Sequence, residues 1–252
     1  MKLESIVEYL DAYLTIEGHP DYGPAHNGLQ VAGDRDVRSV AAAVDASVAS
    51  IEAVVGSGAD LMVVHHGIFW GGSAPITGPL YRRLRPLLQH GVALYSAHLP
   101  LDAHAEVGNC ALLADALGLT GRASFAGYKG VEVGWWGTFP EPRSVDALSS
   151  ALADAVGGSV HVIPGGPKQV RRVGVVTGGG ASFLREAAEL GLDALVTGEA
   201  PHHAYIDAME AGIHVLLGGH YATETFGVKA LAAHVAERFD LEWHFIDQPS
   251  GL

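Results

Sequence analysis

Cysteine, basic residues and long apolar runs are all scarce in this sequence of 252 residues. Cys110 is the only cysteine, which excludes an internal disulfide and thiolate-rich zinc or iron–sulfur sites. No run of about eighteen uninterrupted apolar residues occurs, so no membrane-spanning helix is expected. Fifteen basic against 28 acidic residues give a formal net charge of -13, whose field repels phosphate backbones. Neither a membrane nor a nucleic acid is therefore an expected partner.

The N-terminus and the cysteine content both bear on location. Residues 1–14 alternate charged and apolar side chains at helical spacing, whereas a signal peptide has a continuous apolar core and a cleavage site of small residues. A single thiol fits a reducing compartment. We therefore expect an amphipathic N-terminal helix and a cytoplasmic protein.

Two segments of the chain repeat one order of predicted elements. Each begins with a valine-rich strand, continues through a helix of about three turns to a second strand, and reaches a third strand after another helix. The first repeat contains SVAAAVDAS, ADLMVVHHG and HGVALYSAHLPLD, and the second contains RRVGVVTGGG, LDALVTGEA and AGIHVLLGGHYATE. This order is typical of βαβ units.

These repeats predict an α/β fold in which duplicated βαβ units form two interlocked α/β lobes, with a metal site between them. The predicted lobes are residues 1–120 and 121–252. Within the second lobe, a strand near 131–139, a helix near 144–158 and a strand near 159–164 precede a turn at GGPKQ. Sites in such folds lie beyond the carboxyl ends of the strands, so the polar residues at those ends are the candidates for chemistry.

His65 and His66 follow the apolar strand LMVV in the first repeat. Because successive strand side chains leave on opposite faces, the two imidazoles could serve two separate metal ions. The alternative is that they are two polar residues closing a strand. His98 ends the next predicted strand, and Asp102 follows it by four residues, in an expected loop because Pro100 breaks the strand. Asp102 has an alternative role as the N-cap of a helix beginning near His104.

His220 and Glu224 in the second repeat are four residues apart, which places two side chains on one face of a helix. His65, His66, Asp102, His220 and Glu224 together supply three imidazoles and two carboxylates. This set would hold two divalent ions, with one carboxylate bridging them, and leave positions open for water.

Other polar residues near the strand ends have open roles. His98 is the candidate general acid/base, and its alternative role is to hydrogen-bond a metal ligand. The roles of Glu199, His202 and His203 stay undecided. The three glycines of GVVTGGGAS could cradle a phosphate, but a tight turn is favoured because the lysine of a nucleotide loop is missing. Cys110 lies in an apolar helical run and is expected in the core.

With these motifs assembled, the chain resembles the Nif-three-like family of dinuclear-metal proteins, whose members often carry the name GTP cyclohydrolase 1 type 2 homolog. The resemblance covers nearly the whole chain. It is carried by NGLQV at 27–31, VVHHGIFW at 63–70, YSAHLPLD at 95–102, VTGE at 196–199 and GGHYATE at 218–224.

The resemblance implies that the same five residues bind two metals, with Glu224 bridging, and that six chains form a toroidal homohexamer. Zinc, iron, manganese and nickel all suit imidazole and carboxylate ligands. The leading hypothesis is a metal-dependent hydrolase acting on a nucleotide or a related phosphorylated small molecule. A non-catalytic metal-binding assembly or regulatory protein is the alternative. A DNA-binding toroid is a third possibility, which the net charge disfavours.

Overall fold

The computed structural model describes residues 1–70 and 74–252, which form an α/β fold with two sheets, as the repeats predict. Its helices are α1 Leu3–Tyr13, α2 Val48–Ser57, α3 Gly78–His90, α4 Leu99–Ala103, α5 Asn109–Ala116, α6 Val145–Val156, α7 Leu184–Glu189, α8 Ala204–Ala211, α9 His220–Thr223 and α10 Thr225–Phe239. Its strands are β1 Gly28–Val31, β2 Ser39–Asp45, β3 Leu61–His66, β4 Ala93–Ser96, β5 Thr120–Tyr128, β6 Val131–Arg143, β7 His161–Pro164, β8 Val170–Val175, β9 Ala194–Thr197, β10 His214–Leu217 and β11 Glu242–Phe245. A 3-10 helix, Gly180–Phe183, precedes α7.

The first compact unit contains Met1–Leu101 and Gly227–Gln248. Its sheet has the order β1-β4-β3-β2-β11, in which the last four strands are parallel and β1 pairs with β4 antiparallel. Strands β2, β3 and β4 are buried almost throughout, which is typical of parallel strands. The carboxyl ends of these three strands therefore meet at one edge of the unit.

The second compact unit contains Asp102–Phe226 and Pro249–Leu252. Its sheet has the order β5-β6-β8-β9-β10-β7, with β8, β9 and β10 parallel and the remaining pairs antiparallel. The parallel strands of the two units, β2-β3-β4 and β8-β9-β10, come from the two repeated segments. In both repeats, a short helix follows the third strand: α4 in the first and α9 in the second.

The bounds of the compact units differ from the predicted lobes of residues 1–120 and 121–252. Residues 102–120 belong to the second unit, and residues 227–248 return to the first. The first unit thus contains His65, His66 and His98, whereas Asp102 belongs with His220 and Glu224. The change of unit falls inside helix α4. The predicted division into lobes and their interlocking stay predictions.

Several local predictions need correction. His65 and His66 are the last two residues of β3, so the strand ends with the pair and not before it, and their ring centroids are 4.7 Å apart. Asp102 lies in helix α4, which tolerates Pro100 in its first turn, where a backbone N–H has no helical partner. The following helix begins at Asn109, not near His104.

Other local predictions are confirmed. The N-terminal amphipathic helix is α1, which buries Leu3, Ile6 and Leu10. The elements expected between 131 and 164 are present as β6, α6 and β7, although β5, which pairs with β6, was not predicted from the sequence. Within residues 1–70 and 74–252, no helix is both long and apolar enough to cross a membrane.

Candidate metal centre

Three histidines gather at the strand ends of the first unit. One ring nitrogen from each of His65, His66 and His98 can be chosen so that all three atoms lie within 4.8 Å of one another. The ring centroids of His65 and His98 are 4.9 Å apart, and those of His66 and His98 are 5.6 Å apart. The parallel strands β3 and β4 bring these residues together because their carboxyl ends share one edge of the sheet.

The protein determines which nitrogen of the histidine pair carries the proton. The Nδ1–H of His65 donates to the carbonyl oxygen of Ala97 at 2.9 Å. Nδ1 of His66 lies 2.8 Å from Oδ1 of Asp45, the residue opposite it on β2. An imidazole whose Nδ1–H donates to an oxygen has its lone pair on Nε2. Both rings thus have Nε2 as the atom suited to bind a metal.

His98 is oriented by a buried carboxylate that sequence reasoning missed. Its Nδ1 lies 2.8 Å from Oδ1 of Asp21, whose side chain is 5% exposed. Burial by itself would raise the pKa of Asp21, but hydrogen bonds and charge from His98, with further donation by Asn27 and the Tyr22 N–H, hold that pKa below its usual value. Asp21 is therefore a carboxylate that accepts the Nδ1–H of His98.

The motif NGLQV supports the histidines from the adjacent edge strand. Oδ1 of Asn27 accepts the backbone N–H of His98 at 2.7 Å. Oε1 of Gln30 accepts the backbone N–H groups of Ile68 at 2.7 Å and Phe69 at 3.3 Å, immediately after the histidine pair. These side chains fix the chain on both sides of the site, so the motif has a positioning role in this unit.

The second unit brings His220 and Glu224 into direct contact. Nε2 of His220 lies 3.2 Å from Oε1 of Glu224, and Nδ1 lies 3.0 Å from Oε1 of Glu199. The hydrogen bond with Glu224 raises the pKa of His220 to about 9 against the opposing effect of burial, and Glu199 acts in the same direction as Glu224. The i, i+4 geometry expected from the sequence is confirmed, and Glu199 gains a role as the Nδ1 partner.

Asp102 is held by two donors in the same unit. Its Oδ1 accepts from Nδ2 of Asn109 at 2.9 Å and from Oγ1 of Thr177 at 3.1 Å. Thr177 also contacts the fully buried Cys110, with Sγ and Oγ1 3.3 Å apart. Burial, together with the Asp102 carboxylate, raises the pKa of the Cys110 thiol, so the expected core role of this cysteine is confirmed.

Gly178 lets the turn after β8 pass directly beside His220 and Glu224. It has φ +60°, and a Cβ at this position would overlap the Glu224 carboxylate and lie 3.1 Å from Nε2 of His220. Its N–H donates to Oγ1 of Thr223 at 3.1 Å. The tight turn favoured for the three glycines is therefore present, and it approaches the candidate ligands closely.

The donor chemistry of both units fits divalent metal ions. Two ligands on one tetrahedral zinc ion, at bond lengths of about 2.1 Å, are roughly 3.4 Å apart. Nε2 of His220 and Oε1 of Glu224 are 3.2 Å apart and share a hydrogen bond, so an ion bound by both atoms would take the place of the proton between them. Imidazole nitrogens backed by carboxylates or carbonyls are the usual surroundings of metal-bound histidine. The predicted residues thus have a suitable donor arrangement in each unit.

Sequence reasoning missed the residues that hold the ligands. Asp45 had a usable signal, because it ends a strand parallel to the one that carries the histidine pair. Asp21, Asn109 and Thr177 lie in segments where only the fold reveals a neighbour. His202 and His203 are exposed, and no candidate metal group among the described residues includes them.

Comparison with known proteins gives matches along the whole chain. Residues 1–250 match the family described as Duf34/NIF3 (NGG1p interacting factor 3). A Halobacterium salinarum protein named GTP cyclohydrolase 1 type 2 homolog is 51% identical over 92% of this chain and 93% of its own length. A Deinococcus radiodurans protein of the same name is 44% identical over 99% and 94%. The crystal structure of TTHA1606 from Thermus thermophilus superposes with a TM-score of 0.91, at 43% identity, over 100% of both chains.

Proposed function

Because this chain belongs to the Duf34/NIF3 family, we propose that it is a metal-dependent hydrolase whose substrate is a nucleotide or a related phosphorylated small molecule. In this proposal, His65, His66, Asp102, His220 and Glu224 hold two divalent ions. Zinc, iron, manganese and nickel all suit these ligands. His98 is the general acid/base.

One observation carries the proposal: the candidate imidazoles all have an oxygen acceptor at Nδ1. The acceptors are Ala97 O for His65, Asp45 for His66, Asp21 for His98 and Glu199 for His220. A surface histidine has no need of such a partner, whereas a metal ligand does, because the partner fixes the ring and increases the basicity of Nε2. The presence of this arrangement at all four candidate histidines favours metal binding over scattered structural histidines.

The two ions would acidify a bound water and supply a hydroxide nucleophile near neutral pH. The residues of the chain have separate tasks in this scheme. Asp21 holds the proton of His98 on Nδ1, so Nε2 can accept a proton from a reacting group and later return it. Asn109 and Thr177 bind one oxygen of Asp102 and fix the orientation of its carboxylate.

The nucleotide part of the proposal comes from the relatives. The two matched proteins from Halobacterium and Deinococcus carry a name that refers to GTP. Two metal ions suit several reactions, including hydrolysis of a phosphate ester and opening of a purine ring. A panel of nucleotides and phosphate esters, analysed for released phosphate, released formate and the ring-opened product, distinguishes these reactions.

The first experiment is to measure metal per chain by plasma mass spectrometry on protein purified without chelators or a histidine tag. We expect near two ions in the parent and near none in the double variant His65→Ala, Glu224→Ala. The matched control is His161→Ala, Glu189→Ala, which removes one exposed histidine and one exposed glutamate. A parent that neither contains metal nor takes up added zinc, iron, manganese or nickel contradicts the proposal.

Turnover separates the hydrolase from its alternative. We expect the metal-loaded parent to convert at least one compound of the panel, and Glu224→Ala to lose that activity. Protein that holds two ions but converts no compound would instead support the non-catalytic assembly or regulatory protein.

The role of His98 has its own test. His98→Gln removes the titrating group, so we expect a rate decrease of about 10²–10⁴-fold and the loss of one limb of the pH–rate profile, with metal content retained. A variant that loses metal instead would assign His98 to metal binding.

A further inference from the structure

Two exposed aromatic side chains lie against the histidine cluster of the first unit. Tyr22 is 50% exposed and Trp70 is 40% exposed. The ring centroid of His98 lies 5.5 Å from that of Tyr22 and 5.0 Å from that of Trp70, and the Trp70 ring is 5.8 Å from His66. Both aromatic rings thus border the imidazoles, and neither has a part in the proton transfer or metal binding proposed above.

The segments that carry the two rings are fixed by hydrogen bonds. Nε1 of Trp70 donates to the carbonyl oxygen of Gly67 at 2.9 Å, and a backbone bridge joins Trp70 to Ala25. The N–H of Ala25 donates to the carbonyl oxygen of Tyr22 at 2.8 Å. The backbone N–H of Tyr22 donates to the buried carboxylate of Asp21 at 2.6 Å. Binding to rings on segments fixed in this way requires little further ordering.

The chemistry around the rings points to a planar ligand. An exposed aromatic face binds other π systems by stacking, and this interaction tolerates different bases because each base has a π face. The imidazoles beside the rings are polar. A ligand placed here would therefore have an aromatic part against Tyr22 and Trp70 and a reacting polar part against the histidines.

We propose that Tyr22 and Trp70 form a subsite that stacks a planar heteroaromatic ring, such as the base of a nucleoside, beside the histidine cluster. The inference rests on the proposed function, because it places the aromatic part of the substrate next to the candidate metal ligands. It assigns recognition of the ring to these two side chains.

The test measures binding of guanosine, adenosine and ribose 5-phosphate to the metal-loaded protein by equilibrium dialysis. We expect Tyr22→Leu and Trp70→Leu each to weaken binding of both nucleosides about tenfold, which is within the range for loss of a base–aromatic stack. The affinity for ribose 5-phosphate, which has no base, should stay unchanged.

Two controls separate stacking from loss of structure. Tyr22→Phe keeps the ring and should retain nucleoside affinity. Trp243→Leu removes another tryptophan that is also 40% exposed, on the edge strand β11 of the same unit, and should have no effect on binding. Far-UV circular dichroism and thermal melting verify that each variant is folded.

Three results would overturn the inference: nucleoside affinity that is unchanged in both leucine variants, an equal loss of affinity for ribose 5-phosphate, and a change of oligomeric state in these variants. The last result would assign the rings to an interface between chains.

Metal content is measured on the same preparations. A protein that neither contains metal nor takes it up, yet binds nucleosides through the rings, rejects the hydrolase and keeps the subsite. A metal-loaded protein that binds no nucleoside rejects the subsite alone.

Discussion

At the scale of single residues, the geometry of the candidate site depends on the oxygen acceptors at Nδ1 as well as on the histidines. Asp21 illustrates this, since its carboxylate accepts from His98, Asn27 and two backbone N–H groups while almost fully buried. A buried charge with so many donors contributes to stability as well as to the orientation of His98.

Asp21→Asn should therefore destabilise the protein by about 1–3 kcal/mol at pH 6, because an amide cannot satisfy the same set of donors. The folded-state pKa of Asp21 lies below its usual value, so the stabilisation is present above the unfolded-state pKa and is lost as pH falls through the folded-state pKa. Urea unfolding should show that the difference between parent and variant narrows toward pH 3. Asp36→Asn is the control. Asp36 pairs with Lys2 on the surface, and this pair should contribute little to the free energy of unfolding. A difference that stays constant with pH would contradict this account.

Gly178 gives a second prediction, about space beside the candidate ligands. In Gly178→Ala, the new Cβ would displace the Glu224 carboxylate, so metal content should fall in addition to a loss of about 1 kcal/mol for the left-handed backbone. Gly212→Ala is a matched control, because Gly212 has φ +70° and, within residues 1–70 and 74–252, no atom beyond its chain neighbours lies within 4 Å of the place that a Cβ would take. It should lose similar stability and keep its metal. Equal metal content in the two variants would show that Gly178 has no special role.

At the scale of elements, a side-chain cap marks the residue at which α2 begins. The residue Ser47 begins α2 through a capping box: its Oγ accepts from the N–H of Ser50 at 3.1 Å, and the Ser50 hydroxyl accepts from the N–H of Ser47 at 2.9 Å. Ser50 also donates to the carbonyl oxygen of Asp45. The cap thus connects α2 to the end of the strand that carries the partner of His66.

Ser47→Ala should decrease the free energy of unfolding by about 1 kcal/mol, because it leaves the N–H of Ser50 without its acceptor. Thr77→Ala is the comparison, since Thr77 is the N-cap of α3 but makes no side-chain capping hydrogen bond. Guanidinium unfolding of both variants checks the prediction. Equal decreases in the free energy of unfolding for the two variants would mean that the capping box does not stabilise the protein.

At the scale of the whole molecule, metal binding should be linked to thermal stability. A ligand that binds only the folded chain stabilises it in proportion to the logarithm of its concentration over Kd. Chelation should therefore lower the melting temperature of the parent, and added metal should restore it. The variant His65→Ala, Glu224→Ala should show no response to the chelator. If the melting temperature of the parent does not depend on metal, metal binding and folding are not linked.

The homohexamer stays a prediction at this same scale. Static light scattering should give a mass six times that of the chain, and chelation should reveal whether assembly depends on metal. A monomeric or dimeric mass would reject the toroid.

Local sequence patterns determined much of the secondary structure and the positions of the candidate ligands along the chain. The period of apolar residues predicted α1 and the strands and helices of the two repeats, and the duplicated order predicted parallel strands in both, because these patterns depend on neighbours close in sequence. The same order placed His65, His66 and His98 at strand ends, and the four-residue spacing predicted the contact of His220 with Glu224.

Only the tertiary structure decided which hydrogen-bond partner each candidate ligand has. Asp21 reaches His98 across 77 residues, and Thr177 reaches Asp102 across 75. No short pattern records such pairings, because they depend on how distant segments pack. Likewise, Pro100 predicted a break in the chain, yet it occupies the first turn of α4, where the missing N–H needs no partner. The sequence by itself determined the kinds of residues at the strand ends, and the packing of distant segments decided their orientation and their hydrogen-bond partners.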